Sequence, residues 1–226
     1  PASDRGPDRI WYGSAAASES HDMDWLMKNL GADEDVQIKS LTNDQTILVL
    51  AGPKSRDVLS AVSRDDWSKE GFPWLSVREC FIGFSPATVM GVSFSGELAY
   101  EIHIPNASLY AAYLALRDAG NAHELTLFGA LAVESMRLEK GYLHWKADIL
   151  TEFNPFETGL DRFVQMDKVS FFGKDALMEQ HAEGPRKQLV TLTLDSTVAP
   201  APVNAAEVVW ATLAATPGAA DAPAFR

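Results

Sequence analysis

Three runs in close succession, Ser76 to Phe84, Ala87 to Phe94 and Leu98 to Ile104, constrain this chain more than any other feature. Each is rich in apolar, β-branched or aromatic residues. The connections between them, Ser85-Pro86 and Ser95-Gly96, are too short for a crossover helix, so consecutive strands pair antiparallel. Helical patterns flank the group: Lys54 to Val62 behind Gly52-Pro53, a second from Pro105 and Asn106 through Ala119 with Gly120 as its stop, and a third from Leu127 to Tyr142. The expected class is α+β, with antiparallel sheets and flanking helices.

The remaining segments read more simply. Residues 1 to 8 form a loose polar lead, Arg9 to Ser14 a short strand, and Ser18 to Leu30 a helix closed by Gly31. Val36 to Ser40 and Thr46 to Ala51 are expected as strands around a Thr42-Asn43-Asp44 turn. Asp175 to Glu183 reads as a helix and Gln188 to Leu194 as a strand that begins something new. Residues 196 to 226 are rich in Ala and Pro and lack periodicity, so a weakly ordered tail is expected there. The organisation is a lead over 1–8, one domain over 9–187, and a truncated start of a further unit with its tail over 188–226.

Composition narrows the function. With 226 residues, 46% of them hydrophobic, a sizeable core is available. The 19 Lys and Arg against 31 Asp and Glu give a net charge of -12, which argues against a general affinity for nucleic acid or an anionic membrane surface. Cys80 alone cannot form an intramolecular disulfide or a Cys-rich zinc site. The five histidines, His21, His103, His123, His144 and His181, are scattered without ligand spacing, so no metal is expected. No apolar run reaches transmembrane length and no signal peptide opens the chain, which makes the cytoplasm the expected location. Phosphate loops, nucleophile elbows and zincin motifs are absent.

Two stretches carry more than core-building needs. In Val92 to Pro105 (VSFSGELAYEIHIP), alternation puts Tyr100, Ile102 and Ile104 on one side and Glu101 and His103 on the other. A carboxylate held there makes a surface ion pair or meets a ligand presenting two adjacent N–H donors, as the edge of a pterin or guanine does. Around Arg137 to Phe163, Glu134 and Arg137 on the helix that leads in are spaced to pair, Leu131, Ser135, Leu138 and Tyr142 share a helical face, and Asn154-Pro155 makes a turn. That stretch is either an amphipathic helix with solvated charges or the wall of a pocket.

The motifs SGELAYEIHIP, MRLEKGYLHWKADI, NPFETGLDRFV and FFGKDAL, in this order, together with AGPKSRDVL, resemble the folate-binding domain shared by the glycine cleavage T-protein (aminomethyltransferase) and the C-terminal half of dimethylglycine and sarcosine dehydrogenases. The resemblance runs from about Arg9 to Leu194, and KGYLHWKADI is closer to the dehydrogenase branch. It implies tetrahydrofolate-dependent transfer of a one-carbon unit from an aminomethyl or small N-methyl amine donor, with FAD confined to a separate upstream domain or subunit. It also implies binding roles. Glu101 matches the carboxylate that reads the pterin amine edge, Phe94 a position usually held by Tyr beside the pterin, and Tyr142 an aromatic lining residue. Val133 stands where T-protein has a folate-contacting Arg. The family's Asp near the reacting folate nitrogen belongs to a part preceding Arg9, so the catalytic acid or base is unassigned here. The expectation is therefore a piece of a longer enzyme that alone binds folate weakly and turns over little. A non-catalytic folate-binding or flavoprotein-associated subunit is the alternative.

Overall fold

The computed structural model describes residues 2–4, 8–145, 147–190 and 210–212. The chain divides into two compact units, residues 1–142 and 143–226.

The first unit is built on a four-stranded antiparallel sheet. Its strands are β3 (Gln45–Ala51), β4 (Val77–Ile82), β5 (Ser85–Met90) and β6 (Ala99–Pro105), in the spatial order β3-β6-β5-β4. The meander expected from the three close runs is present as β4-β5-β6, and β3 adds to its open edge. Register places Glu101 opposite Val49 and Met90, and His103 opposite Ile47 and Thr88. Tyr100, Ile102 and Ile104, one residue out of phase, therefore share the other face with Leu50 and Leu48.

That other face is the core. Helices α2 (Ser55–Val62) and α3 (Leu109–Gly120) pack on it through Val58, Leu59, Ala112 and Leu116. Trp67, Phe72 and Tyr100 complete the cluster at one end, with ring centroids of 4.9 Å between Trp67 and Phe72 and 5.9 Å between Phe72 and Tyr100. Each large side chain buried here contributes about 1.5–3 kcal/mol relative to exposure.

Ahead of the sheet, β1 (Ala2–Asp4) pairs antiparallel with β2 (Ile10–Tyr12), so the lead expected to be loose carries a strand. Helix α1 (Glu19–Lys28) follows. Val36 to Ser40, expected as a strand, forms none: Val36 is 53% exposed, and β3's neighbour in the sheet is β6. The hairpin turn falls at Gly83-Phe84 rather than Ser85-Pro86, because Gly83 takes the left-handed conformation (φ 61) that the turn needs. Pro86 then lies opposite Phe81, ahead of the 88–90 stretch that pairs with β6, where its missing N–H breaks no bond to that strand.

The run expected as a strand to Phe94 stops at Met90. From there the chain loops to Leu98, with Ser93 Oγ accepting from the Gly96 amide at 3.0 Å. Helix α4 (Ala130–Glu139) ends the unit.

The second unit begins with Leu143. Asn154 caps the single-turn helix α5 (Pro155–Thr158), accepting from the Phe156 and Glu157 amides at 3.0 Å each, while Glu157 reaches back to the Asn154 amide. The turn expected at Asn154-Pro155 is thus a helix start, with Pro in the first turn. Helix α6 (Lys174–Glu183) and a short pair, β7 (Lys187–Leu189) with β8 (Trp210–Thr212), follow. The rest of the 188–194 strand and most of the expected weakly ordered tail lie outside the described residues. Among the described residues, no helix is long and apolar enough to cross a membrane.

Candidate functional site

Arg137 organises the end of α4. It is 2% exposed, a burial that arginine tolerates only when its charge and donors are engaged. The guanidinium pairs with Glu134 one turn back, as their spacing predicts. Nη1 donates to the Tyr142 carbonyl at 2.9 Å, and the guanidinium carbon lies 6.0 Å from the centroid of the Phe94 ring. Arg137 thereby ties together two of the three residues singled out in sequence. Tyr142 itself is not on the helical face proposed for it. The helix ends at Glu139, Gly141 turns the chain with φ 69, and the Tyr142 amide returns to the Arg137 carbonyl. The solvated-charge reading of this helix fails at Arg137.

A second tie fixes the Phe94 loop. Lys140 Nζ stands 3.3 Å from Glu97 Oε1, and the Lys140 stem crosses Gly96 so closely that a Cβ at 96 would sit 2.2 Å from its Cγ. Gly96 has φ 80, so conformation and space both require glycine.

Tyr142 borders a cavity of about 430 Å³ whose walls include Tyr100, Trp74, Leu98 and Glu97. Trp74 is 68% exposed and precedes Leu75, which lies in the left-handed region (φ 67) and donates its amide N–H to the Gly91 carbonyl at 2.9 Å. A left-handed leucine costs on the order of 1–2 kcal/mol, so the fold around it dictates where this loop sits.

Glu101 and Phe94 do not line that cavity. Glu101 projects from the opposite face of β6, beside His103. His103 is buried, with Trp11 from β2 edge-on to its ring at 5.3 Å. Its Nε2 stands 3.3 Å from Glu101 Oε2 but out of hydrogen-bond alignment, so this buried nitrogen has no hydrogen-bond partner among the described residues. The structure thus joins Phe94 and Tyr142 through Arg137 and holds Glu101 apart from the Tyr142 cavity. The 137–163 stretch is divided after Tyr142 between the two units.

Trp74, Tyr100 and the Glu97–Lys140 tie were missed in sequence. Glu97 and Lys140 stood inside quoted motifs, yet nothing in the spacing showed that they meet; Trp74 lies in a turn-rich stretch without a pattern. Among the described residues, no group of three or more His, Cys, Asp or Glu side chains is placed to hold a metal.

Residues 3–168 match the profile of the GCVT N-terminal domain. The chain belongs to this family. It is 32% identical over 194 residues to human mitochondrial dimethylglycine dehydrogenase, covering 85% of this chain and 22% of that protein. To mouse mitochondrial sarcosine dehydrogenase it is 35% identical over 175 residues, covering 77% and 19%. The crystal structure of the glycine cleavage system aminomethyltransferase T from Bartonella henselae superposes with a TM-score of 0.66 at 22% identity, over 77% of this chain and 46% of that one. The GCVT chain therefore has the antiparallel sheet with flanking helices of the T-protein fold, and it spans about a fifth of the dehydrogenases' length.

Proposed function

We propose that this GCVT domain binds tetrahydrofolate and serves the transfer of a one-carbon unit to it from an aminomethyl or small N-methyl amine donor. The observation that carries the reading is the position of Glu101. Its side chain is one-third exposed on the middle of β6, where both carboxylate oxygens can accept from a ring N–H and its neighbouring exocyclic amine. His103 is buried beside it, with Nε2 3.3 Å from Glu101 Oε2.

The donor set fits the group. Tetrahydrofolate, when bound, supplies the nitrogen nucleophile that accepts the carbon. Glu101 orients the pterin edge and Phe94 offers an apolar ring face where a phenol would add a hydroxyl, while Tyr142 lines the cavity that Glu101 does not border. Arg137 holds Phe94 and the Tyr142 backbone in place rather than meeting ligand, since it is 2% exposed. The roles proposed for these residues are binding and orientation, and the proton acceptor at the reacting nitrogen is assigned to none of them. A flavin dehydrogenase domain is the proposed partner, in keeping with the names of the relatives.

Calorimetric titration of the chain with 5-formyltetrahydrofolate tests the reading. Binding that is lost on Glu101→Gln is expected; equal affinity in both proteins contradicts the assigned role.

A further inference from the structure

His103 stands on β6 opposite Ile47 of β3 and Thr88 of β5, and Trp11 of β2 meets its ring edge-on, with centroids 5.3 Å apart and planes at 85°. Its Nε2 is buried and has no hydrogen-bond partner among the described residues. A phenylalanine would fill the same space against the indole without leaving a polar atom unpaired, an arrangement that is unfavourable away from water. An imidazole here calls for a use beyond packing.

Glu101 Oε2 lies 3.3 Å from that nitrogen, on the same face of the strand two residues earlier. The imidazole, 7% exposed, is the fixed member of the pair, and the carboxylate, 33% exposed, is the one with room to turn. The terminal torsion of a glutamate is broad, so rotation that brings Oε2 into line with Nε2 costs little. Among the described residues no Lys or Arg stands within ion-pair distance of Glu101, which leaves its orientation to His103.

We propose that His103 is the positioning residue of Glu101: with a proton on Nε2, it donates to Oε2 and sets the plane of the carboxylate. A carboxylate has about four lone-pair sites, so this bond leaves both oxygens able to accept from the two adjacent N–H donors of a pterin edge. The pairing stands on the geometry of β6 and Trp11; its consequence for a ligand rests on the role proposed for Glu101.

Two measurements on the full chain keep these apart. Heteronuclear NMR of the histidine rings without ligand, with the His103 signals assigned by their loss in His103→Gln, is expected to show the proton on Nε2. A neutral ring with its proton on Nδ1 alone overturns the proposal, because Nε2 could not then donate. Calorimetric titration with 5-formyltetrahydrofolate follows, on the parent, His103→Phe and His103→Gln. His103→Phe keeps a ring against Trp11 but no donor, and is expected to weaken binding roughly five- to tenfold. His103→Gln returns an amide N–H near the Nε2 position and is expected to bind within about twofold of the parent. Parent affinity in His103→Phe overturns the proposal, and equal losses in both variants assign His103 to packing and overturn it too. Should His103→Phe fail to fold, the site of the ring proton and the affinity of His103→Gln still decide. A proton on Nε2 with no binding by the parent supports the pairing and removes the role in reading a pterin from Glu101.

Discussion

Arg137 Nη1 donates to the carbonyl of Tyr142 at 2.9 Å, closing the end of α4 back onto its own last turn. The same guanidinium faces Phe94 and pairs with Glu134, so one buried cation sets the positions of two aromatic residues of the candidate site.

Replacing Arg137 by Ala removes these ties together. A destabilisation of roughly 2–4 kcal/mol is expected in urea unfolding, with Arg137→Lys recovering only part because an ammonium cannot fork. A loss below about 0.5 kcal/mol, the level of an ordinary surface change, would contradict the organising role.

Gly96 and Lys140 form a steric pair. Gly96→Ala is expected to cost on the order of 1–3 kcal/mol, from its φ of 80 and from the contact with the Lys140 stem. Adding Lys140→Ala relieves the contact but not the backbone strain, so a double-mutant cycle reads partial recovery. The Lys140–Glu97 charge pair is half-exposed and adds about 1 kcal/mol or less. Strict additivity of the two substitutions would show that the stem does not press on residue 96.

How much of this was legible from sequence depends on the range of each interaction. The β4-β5-β6 meander, the Glu134–Arg137 pair and the Asn154 turn are written in neighbouring residues, and they stand in the structure. The turn expected at Ser85-Pro86 falls two residues earlier, because Gly83's freedom to adopt positive φ decides it. Val36 to Ser40 has a strand's composition but forms none, a choice local propensity does not make. Glu101 stood out through alternation and resemblance. The meeting of Lys140 with Gly96, and the placing of Trp74, Tyr100 and Tyr142 around one cavity, bring together residues far apart in the chain. No local spacing encodes them.

Cys80 lies in the sheet's core, and burial pushes its thiol up to about 12, with Asp65 adding and Arg78 opposing. The folded state then holds its proton while an unfolded thiol, ionising near 8.5, releases it. Stability from this group is fully present below about pH 8.5 and is lost as pH rises toward 12. Urea midpoints measured from pH 8 to 11 should fall more steeply for the parent than for Cys80→Ala. Native protein at pH 8 should resist a thiol reagent that labels it in urea. Rapid native labelling would contradict the burial.

Asn154→Ala deletes the acceptor for two amides at the start of α5, and a loss of about 1–2 kcal/mol is expected locally. Hydrogen exchange at the Phe156 and Glu157 amides should accelerate. Unchanged exchange there would mean that the cap does not hold this turn.

The most direct test is thermal unfolding of the parent and of Glu101→Ala, each with and without 5-formyltetrahydrofolate. Ligand at about 100 times its dissociation constant adds roughly 2.7 kcal/mol, a shift of several degrees for a domain of this size. The account predicts that shift in the parent and its disappearance in Glu101→Ala, with the two apo proteins melting within about a degree of each other. A shift of equal size in both proteins, or none in the parent, would contradict the assignment of Glu101 as the residue that reads the pterin edge.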